Sequence, residues 1–356
     1  MISIEASIQA YESNLRALLG KEVVAKNLAY KHQQMRKTAF IFLRGTCFRW
    51  AETAAGLFPQ LASAPAVLSV GDAHVENFGL WSDADGRLIW GVNDFDEAAR
   101  TPYPFDLVRL GTSALLYEEG DLLPAEEIAA ALLDGYRQGL RAPRPFILDN
   151  GDFWLRELFA VSTQQRERFW KKLAQLKKAK PPARFIGPLK AAFPERPAKL
   201  TILARRAGVG SLGRPRFAAL AQWQGGTVVR EAKAVIPSCW SRAPVPDFSG
   251  KTSLRAARGP YRSPDPWLNV KNGVSVRRLG PNNRKLEVAD LGRLSLDLLA
   301  AMGFELANIH MGDSPSAKLI ASDLSQRHGT RWLEKAIKRT AAATVNDWKD
   351  YRRSSK

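Results

Sequence analysis

The stretch from Val70 to Ala98 reads VGDAHVENFGLWSDADGRLIWGVNDFDEA. It sets Asp72 and Asn77 in one polar cluster and Asp94 and Asp96 in a second. An apolar run precedes each cluster: Ala66-Val67-Leu68-Ser69-Val70 and Leu88-Ile89-Trp90-Gly91-Val92. Both runs read as strands, and Asp83-Ala84-Asp85-Gly86 between them is a hairpin turn signal. The expected order is strand, loop, strand, turn, strand, loop. That order brings carboxylates and an amide to neighbouring strand ends, where they converge on one point. Hard oxygen ligands on loops suit Mg²⁺, which keeps waters and takes one or two carboxylates plus substrate phosphates. Asn77, Asp94 and Asp96 are therefore candidate metal ligands. The alternative is that these acids only cap loops and turns.

A second stretch adds a phosphate-binding signal. Leu200 to Ala204 is strand-like, and Gly208-Val209-Gly210-Ser211-Leu212-Gly213 follows. A dinucleotide-binding fold needs a helix directly after such glycines. Here Pro215 and the apolar run Phe217 to Trp223, closing in Gly225-Gly226, favour a strand. The next strand begins at Thr227 and carries Lys233 as its only lysine. Gly208, Gly210 and Gly213, with Ser211 between them, leave backbone N–H groups open to phosphate oxygens. Lys233 is the candidate to pair with those phosphates; the alternative is an ordinary lysine on an edge strand.

The chain of 356 residues is long enough for two lobes with their own cores. Cys47 and Cys239 give neither a disulfide framework nor a metal spacing. Four scattered histidines argue against zinc. No N-terminal apolar run reads as a signal peptide and no stretch approaches a membrane span, so a soluble cytoplasmic protein is expected. The net charge of +18 permits nucleic acid, anionic membrane surfaces or acidic ligands as partners without choosing among them. The acids of the central stretch form a local negative site inside this basic protein, consistent with a metal–nucleotide site.

The rest of the chain supplies a frame. Residues 4 to 37 read as two helices with a stop at Gly20, and Trp50 to Leu57 as a short helix. Arg44 follows an apolar run and either reaches a phosphate or is structural. Asp106 suits an N-cap. Leu123 to Leu140 is an amphipathic helix with Pro124 near its start. Residues 166–199 are basic and proline-rich, with Phe169 and Trp170 interleaved; they read as a solvated helical face and connector, or as a nucleic-acid footprint. Pro237 to Pro266 reads as loop, Val274 to Leu279 as a strand, and Asp290 to His310 as a long helix. A basic amphipathic helix around Trp332 to Trp348 closes the chain, fraying after Arg353.

Asp72 and Asn77 are five apart, as in the catalytic loop of kinases, where the Asp accepts the acceptor's hydroxyl proton and the Asn holds a metal. Gly71-Asp72-x-His74-x-x-Asn77 resembles the version in aminoglycoside phosphotransferases and related small-molecule kinases. Asp94 stands where kinases place the metal-binding Asp of Asp-Phe-Gly. Strand, glycine loop, strand, turn and a strand bearing Lys233 resembles the kinase nucleotide lobe. The order is inverted, since the catalytic segment comes first. Cutting a kinase chain before its catalytic loop and joining its old ends gives this order, so the resemblance implies circular permutation.

The chain also resembles the bacterial family called domain of unknown function 2252. The residues that carry the likeness are Phe42-Leu43-Arg44-Gly45, Gly71-Asp72-Ala73-His74-x-Glu76-Asn77-Phe78-Gly79, Asn93-Asp94-Phe95-Asp96-Glu97-Ala98, Gly208 to Gly213, Lys233 and Leu306-Ala307-x-x-His310. Together these resemblances imply an α+β, bilobal protein-kinase-like fold, circularly permuted. A C-lobe-like part would span 1–165, the connector 166–199, a small β-rich nucleotide lobe 200–285, and returning helices 286–356. They imply an ATP-dependent phosphotransferase using ATP and Mg²⁺ with an unidentified acceptor, Asp72 being catalytic. A nucleotide-binding pseudokinase, a nucleic-acid-binding protein and a nucleotidyltransferase stay open. No Glu lies between Lys233 and Glu287, so the acid that orients the lysine comes from elsewhere, Glu52 being one source, or is missing.

Overall fold

The computed structural model describes residues 2–117, 123–241, 245–283, 285, 294–312 and 316–354. The helices of the first part are α1 (Ile4–Leu19), α2 (Ala25–Met35), α3 (Ala39–Gly45), α4 (Cys47–Leu57), α5 (Pro59–Ala62), α6 (Pro104–Leu115) and α7 (Ala125–Arg141). Strands β1 (Ala66–Ser69), β2 (Phe78–Ser82), β3 (Leu88–Val92), β4 (Ala99–Pro102) and β5 (Phe146–Ile147) accompany them. Then follow α8 (Phe153–Phe159), α9 (Thr163–Ala174), α10 (Ala183–Ala191), β6 (Thr201–Ala204), β7 (Arg216–Trp223), β8 (Gly226–Ala234), α11 (Lys251–Ala257), β9 (Asn269–Lys271) and β10 (Val274–Arg278). The chain closes with α12 (Leu296–His310), α13 (Ser316–Gln326) and α14 (Arg331–Ser354).

The protein is a mixed α+β fold with several small sheets: β1-β4, β2-β3-β5, and a five-stranded sheet in the order β6-β7-β8-β10-β9. In the last of these, antiparallel pairing sets Arg216 opposite Lys233 and Ala218 opposite Glu231. The hairpin signal at Asp83 is realised: β2 and β3 pair from Phe78↔Val92 to Ser82↔Leu88, and Asp83 Oδ1 accepts the N–H groups of Asp85 and Arg87. Gly20 ends α1 with φ 52°, a conformation that glycine adopts without Cβ strain.

The buried apolar side chains gather mainly in two clusters. The larger unites β1, β2 and β3 with α6, α7 and α12. The smaller covers the five-stranded sheet with Phe185, Leu189 and Phe193 from α10 and just beyond it. It also takes Leu15, Leu19 and Leu28 from α1 and α2, so the two cores do not divide the chain in sequence order. Residues 166–199, read as a helical face followed by a proline-rich connector, contain helix in both parts. They hold most of α9 and all of α10, with Pro182 at the entry of α10 and Pro188 inside it. Pro237 to Pro266 likewise contains α11. The expected helix start at Asp290 lies outside the described residues, within which the helix begins at Leu296. No helix among the described residues is long and apolar enough to cross a membrane.

Candidate functional site

The two acidic loops meet where β1 and β3 end. Gly71 has φ +78°, and a Cβ there would stand 2.0 Å from the Glu97 carbonyl oxygen. Only glycine fits this crossing of the two loops. Asp106 is not an N-cap. α6 starts at Pro104, and the buried Asp106 carboxylate instead accepts the N–H groups of Val70 (2.6 Å) and Gly71 (3.0 Å). His310 at the end of α12 lies 3.1 Å from the same carboxylate through Nε2 and 2.8 Å from the Tyr136 hydroxyl through Nδ1. The first loop is therefore held from below by α6 and α12.

Asp72 is gripped by Arg109, whose NH2 and Nε lie 2.6 and 2.8 Å from Oδ1. Asn77 donates through Nδ2 to the carbonyls of Asp72 (3.2 Å) and Asp94 (3.0 Å), tying the loops together. Its Oδ1 is buried without a hydrogen-bond partner among the described residues. Asp94 meets Lys233 at 2.9 Å and Lys285 at 2.8 Å. Asp96 meets Lys233 at 2.8 Å and Arg214 at 3.2 Å. Burial alone would raise the Asp94 carboxyl, but Lys233, Lys285 and Arg277 outweigh it and hold the group well below the usual carboxylate range. Burial, reinforced by Arg44, Lys285 and Arg109, lowers the His74 imidazole and keeps it neutral.

Asp72, His74, Asn77, Asp94 and Asp96 line a small cavity of about 70 Å³ together with Gly208, Gly210 and Ser211. Gly210 lies over Asp72: a Cβ on it would stand 3.2 Å from the Arg44 carbonyl and 3.9 Å from Asp72 Oδ2. Ser211 Oγ accepts from Arg216 NH2 at 2.7 Å. Two candidate residues stand apart. Gly213, with φ +99°, packs against Leu28, which a Cβ would approach to 2.5 Å. Lys233 stands behind Asp94 and Asp96 and does not line the cavity. Glu52 is not its partner; that carboxylate accepts from Ser7 and pairs with Arg49.

Sequence reasoning missed Lys285, which lines the cavity and reaches it through a bridge between Gly79 and Lys285 that no local pattern announces. Arg109 and Arg214 were missed for the same reason. Arg44 also lines the cavity, paired with Glu76 at 2.5 Å. The two cysteines, unrelated by spacing, meet at 3.5 Å between Sγ atoms. With Glu97 they form a group whose ligand atoms lie within 4.8 Å of one another. Burial pushes the Cys47 thiol up to about 11, so it stays protonated at neutral pH.

Asn77 Oδ1, Asp94 and Asp96 are the oxygen donors of this cavity that could hold a hard divalent cation, provided that it displaces the lysines and Arg214 now paired with the two carboxylates.

A family model described as "Uncharacterized protein conserved in bacteria (DUF2252)" matches residues 23–190. The matched segment contains Asp72, Asn77, Asp94 and Asp96 and ends before the glycine loop and Lys233. It supports the family resemblance seen in the sequence. No curated protein and no solved structure matches the chain.

Proposed function

We propose that the chain is an ATP-dependent phosphotransferase with a bilobal, kinase-like fold in circularly permuted order, moving the terminal phosphoryl group of ATP to a hydroxyl of a small molecule or protein. The observation that carries this reading is the meeting of Asp72, Asn77, Asp94 and Asp96 with Gly208, Gly210 and Ser211 around one cavity. Permutation is supported by the end of α12, where His310 reaches Asp106 and Gly312 lies beside Leu68 of β1. A helix leading into β1 in an unpermuted chain would end in that place.

The chemistry follows from the side chains. Arg109 fixes Oδ1 of Asp72 and leaves Oδ2 to orient an acceptor hydroxyl. As the acceptor oxygen bonds to the γ-phosphorus, the bond from that phosphorus to the bridging oxygen of the leaving ADP breaks. The hydroxyl proton passes to Asp72. Asn77 Oδ1, Asp94 and Asp96 would hold Mg²⁺, which when bound neutralises charge on the phosphate oxygens. Lys233 keeps the two aspartates in place, while loop N–H groups and Lys285 receive phosphate oxygens.

A second reading is a nucleotide-binding regulatory module without turnover. It is favoured by the cations that already compensate Asp72, Asp94 and Asp96. ATP turnover with water as acceptor tests both readings, with folding checked by circular dichroism. Wild-type protein is expected to release ADP, and Asp72→Asn and Asp94→Asn to lose turnover by about a hundredfold or more, on the order of 3 kcal/mol of barrier. Turnover retained in both variants overturns the phosphotransferase reading. Release of pyrophosphate instead of ADP means nucleotidyl transfer, and bound nucleotide without turnover selects the regulatory module.

A further inference from the structure

Beside the glycine loop lies a second cavity, of about 320 Å³, within the range of small-molecule sites. It shares Arg44, Gly208 and Lys285 with the first cavity. Among the described residues its lining includes Arg168, Lys172, Arg205, Arg216, Arg277 and Lys285, against a single lining acid, Glu76. Glu76 is committed to Arg44 at 2.5 Å. Arg205, Arg216 and Arg277 converge on one buried carboxylate, Glu231, at 2.7 to 3.0 Å. All three guanidinium groups share that carboxylate, and Arg277 also lies in the field of Asp94 and Asp96. Arg168 and Lys172 are four apart on α9, so they share a helix face. Neither has a carboxylate partner among the described residues; the nearby Glu167 pairs with Lys171 on another face. The cavity is also wired to the reacting centre. Arg216 donates to Ser211 Oγ (2.7 Å), and Arg277 to Asn93 Oδ1 (2.6 Å), next to Asp94.

We infer that this cavity is a second anion subsite, taking a phosphate monoester carried by one of the two substrates, with Arg168 and Lys172 as its outer contacts. The inference rests on the phosphotransferase reading for its partner chemistry, and it names the substrate class: a phosphorylated compound. A polycationic acceptor of the aminoglycoside kind is disfavoured, because it would enter among the arginines and lysines of this lining. Two sources share the chemistry. The phosphate belongs to the acceptor, or it is an extra phosphate on the ribose of the nucleotide.

Isothermal titration calorimetry with two probes, ribose 5-phosphate and adenosine 3′,5′-bisphosphate, tests it. Wild-type protein binds at least one of them. The exposed pair Arg168→Ser and Lys172→Ser, made together, weakens that binding at least tenfold. An equal loss of charge on α14, Lys335→Ser with Lys349→Ser, leaves it unchanged. Ribose 5-phosphate bound in the presence of saturating Mg²⁺ and ATP assigns the phosphate to the acceptor. Binding of adenosine 3′,5′-bisphosphate alone, displaced by ATP, assigns it to the nucleotide. Binding of neither probe, or an equal weakening by the α14 pair, overturns the subsite. If the probes bind as expected but Mg²⁺ and ATP do not, the phosphotransferase reading fails and the subsite stands.

Discussion

Glu231 shows how much a single buried charge organises in this protein. It is 1% exposed, two residues before Lys233 on β8, and takes Arg216, Arg277 and Arg205. Burial would raise its carboxyl, but the three arginines outweigh burial and hold it well below the usual range. A carboxyl depressed in the folded state stabilises the fold above its unfolded pKa of about 4.3, and that stability is lost as pH falls toward the folded value. Glu231→Gln is therefore expected to be less stable at pH 7 by about 3–5 kcal/mol, because three buried or half-buried cations lose the carboxylate they share. Between pH 5 and 3 its stability should also fall less steeply, by up to about 1.4 kcal/mol per pH unit, as one proton-binding group is removed. Urea unfolding across that range is the measurement; equal slopes would show that Glu231 does not titrate differently on folding. None of this was legible in Val-Val-Arg-Glu-Ala-Lys. The lysine was visible because the glycine loop and two strands precede it. The glutamate's partners come from β7, β10 and the residue after β6, which only the sheet brings together.

At the scale of elements, local signals worked where the chain's own neighbours decide the structure. The β2-β3 hairpin follows from an Asp-Ala-Asp-Gly turn whose first Asp caps it, and α1 stops at a glycine with positive φ. Proline density alone did not announce α10, which follows Pro181 and Pro182 with Pro182 as its N-cap residue. The partner of an element is less visible still. Helices α7 and α12 approach through Gly135, Gly139 and Gly303: a Cβ on Gly135 would stand 1.7 Å from the Ala300 carbonyl oxygen, and one on Gly303 2.1 Å from that of Leu132. Backbone cannot yield as a side-chain tip does. Gly135→Ala is expected to destabilise by about 3 kcal/mol or more in urea unfolding. Gly56→Ala, on the open face of α4 with nothing within 4 Å, is expected to stabilise by about 0.5 kcal/mol through helix propensity alone. Comparable effects at the two positions would contradict the close helix packing.

Across the whole molecule, residues distant in sequence build one centre. Asp72 and Asp94 come from the first third of the chain, Gly210 and Lys233 from its middle, and Lys285 and His310 from its last third. The acidic loops were legible because each is a short motif behind its own strand. Their compensation by Arg109, Lys233, Lys285 and Arg214 was not, because it depends on how separate segments dock. The same compensation sets the decisive question, which is whether a metal and nucleotide take those carboxylates from the lysines. Thermal unfolding of the wild type and Asp94→Asn, each with ATP, with Mg²⁺, and with both, answers it most directly. A Mg²⁺-dependent rise with ATP, about 2.7 kcal/mol at a hundredfold excess over Kd, that is lost in Asp94→Asn is the expected result. No rise at millimolar nucleotide, or an equal rise in the variant, would contradict a metal–nucleotide site at Asp94.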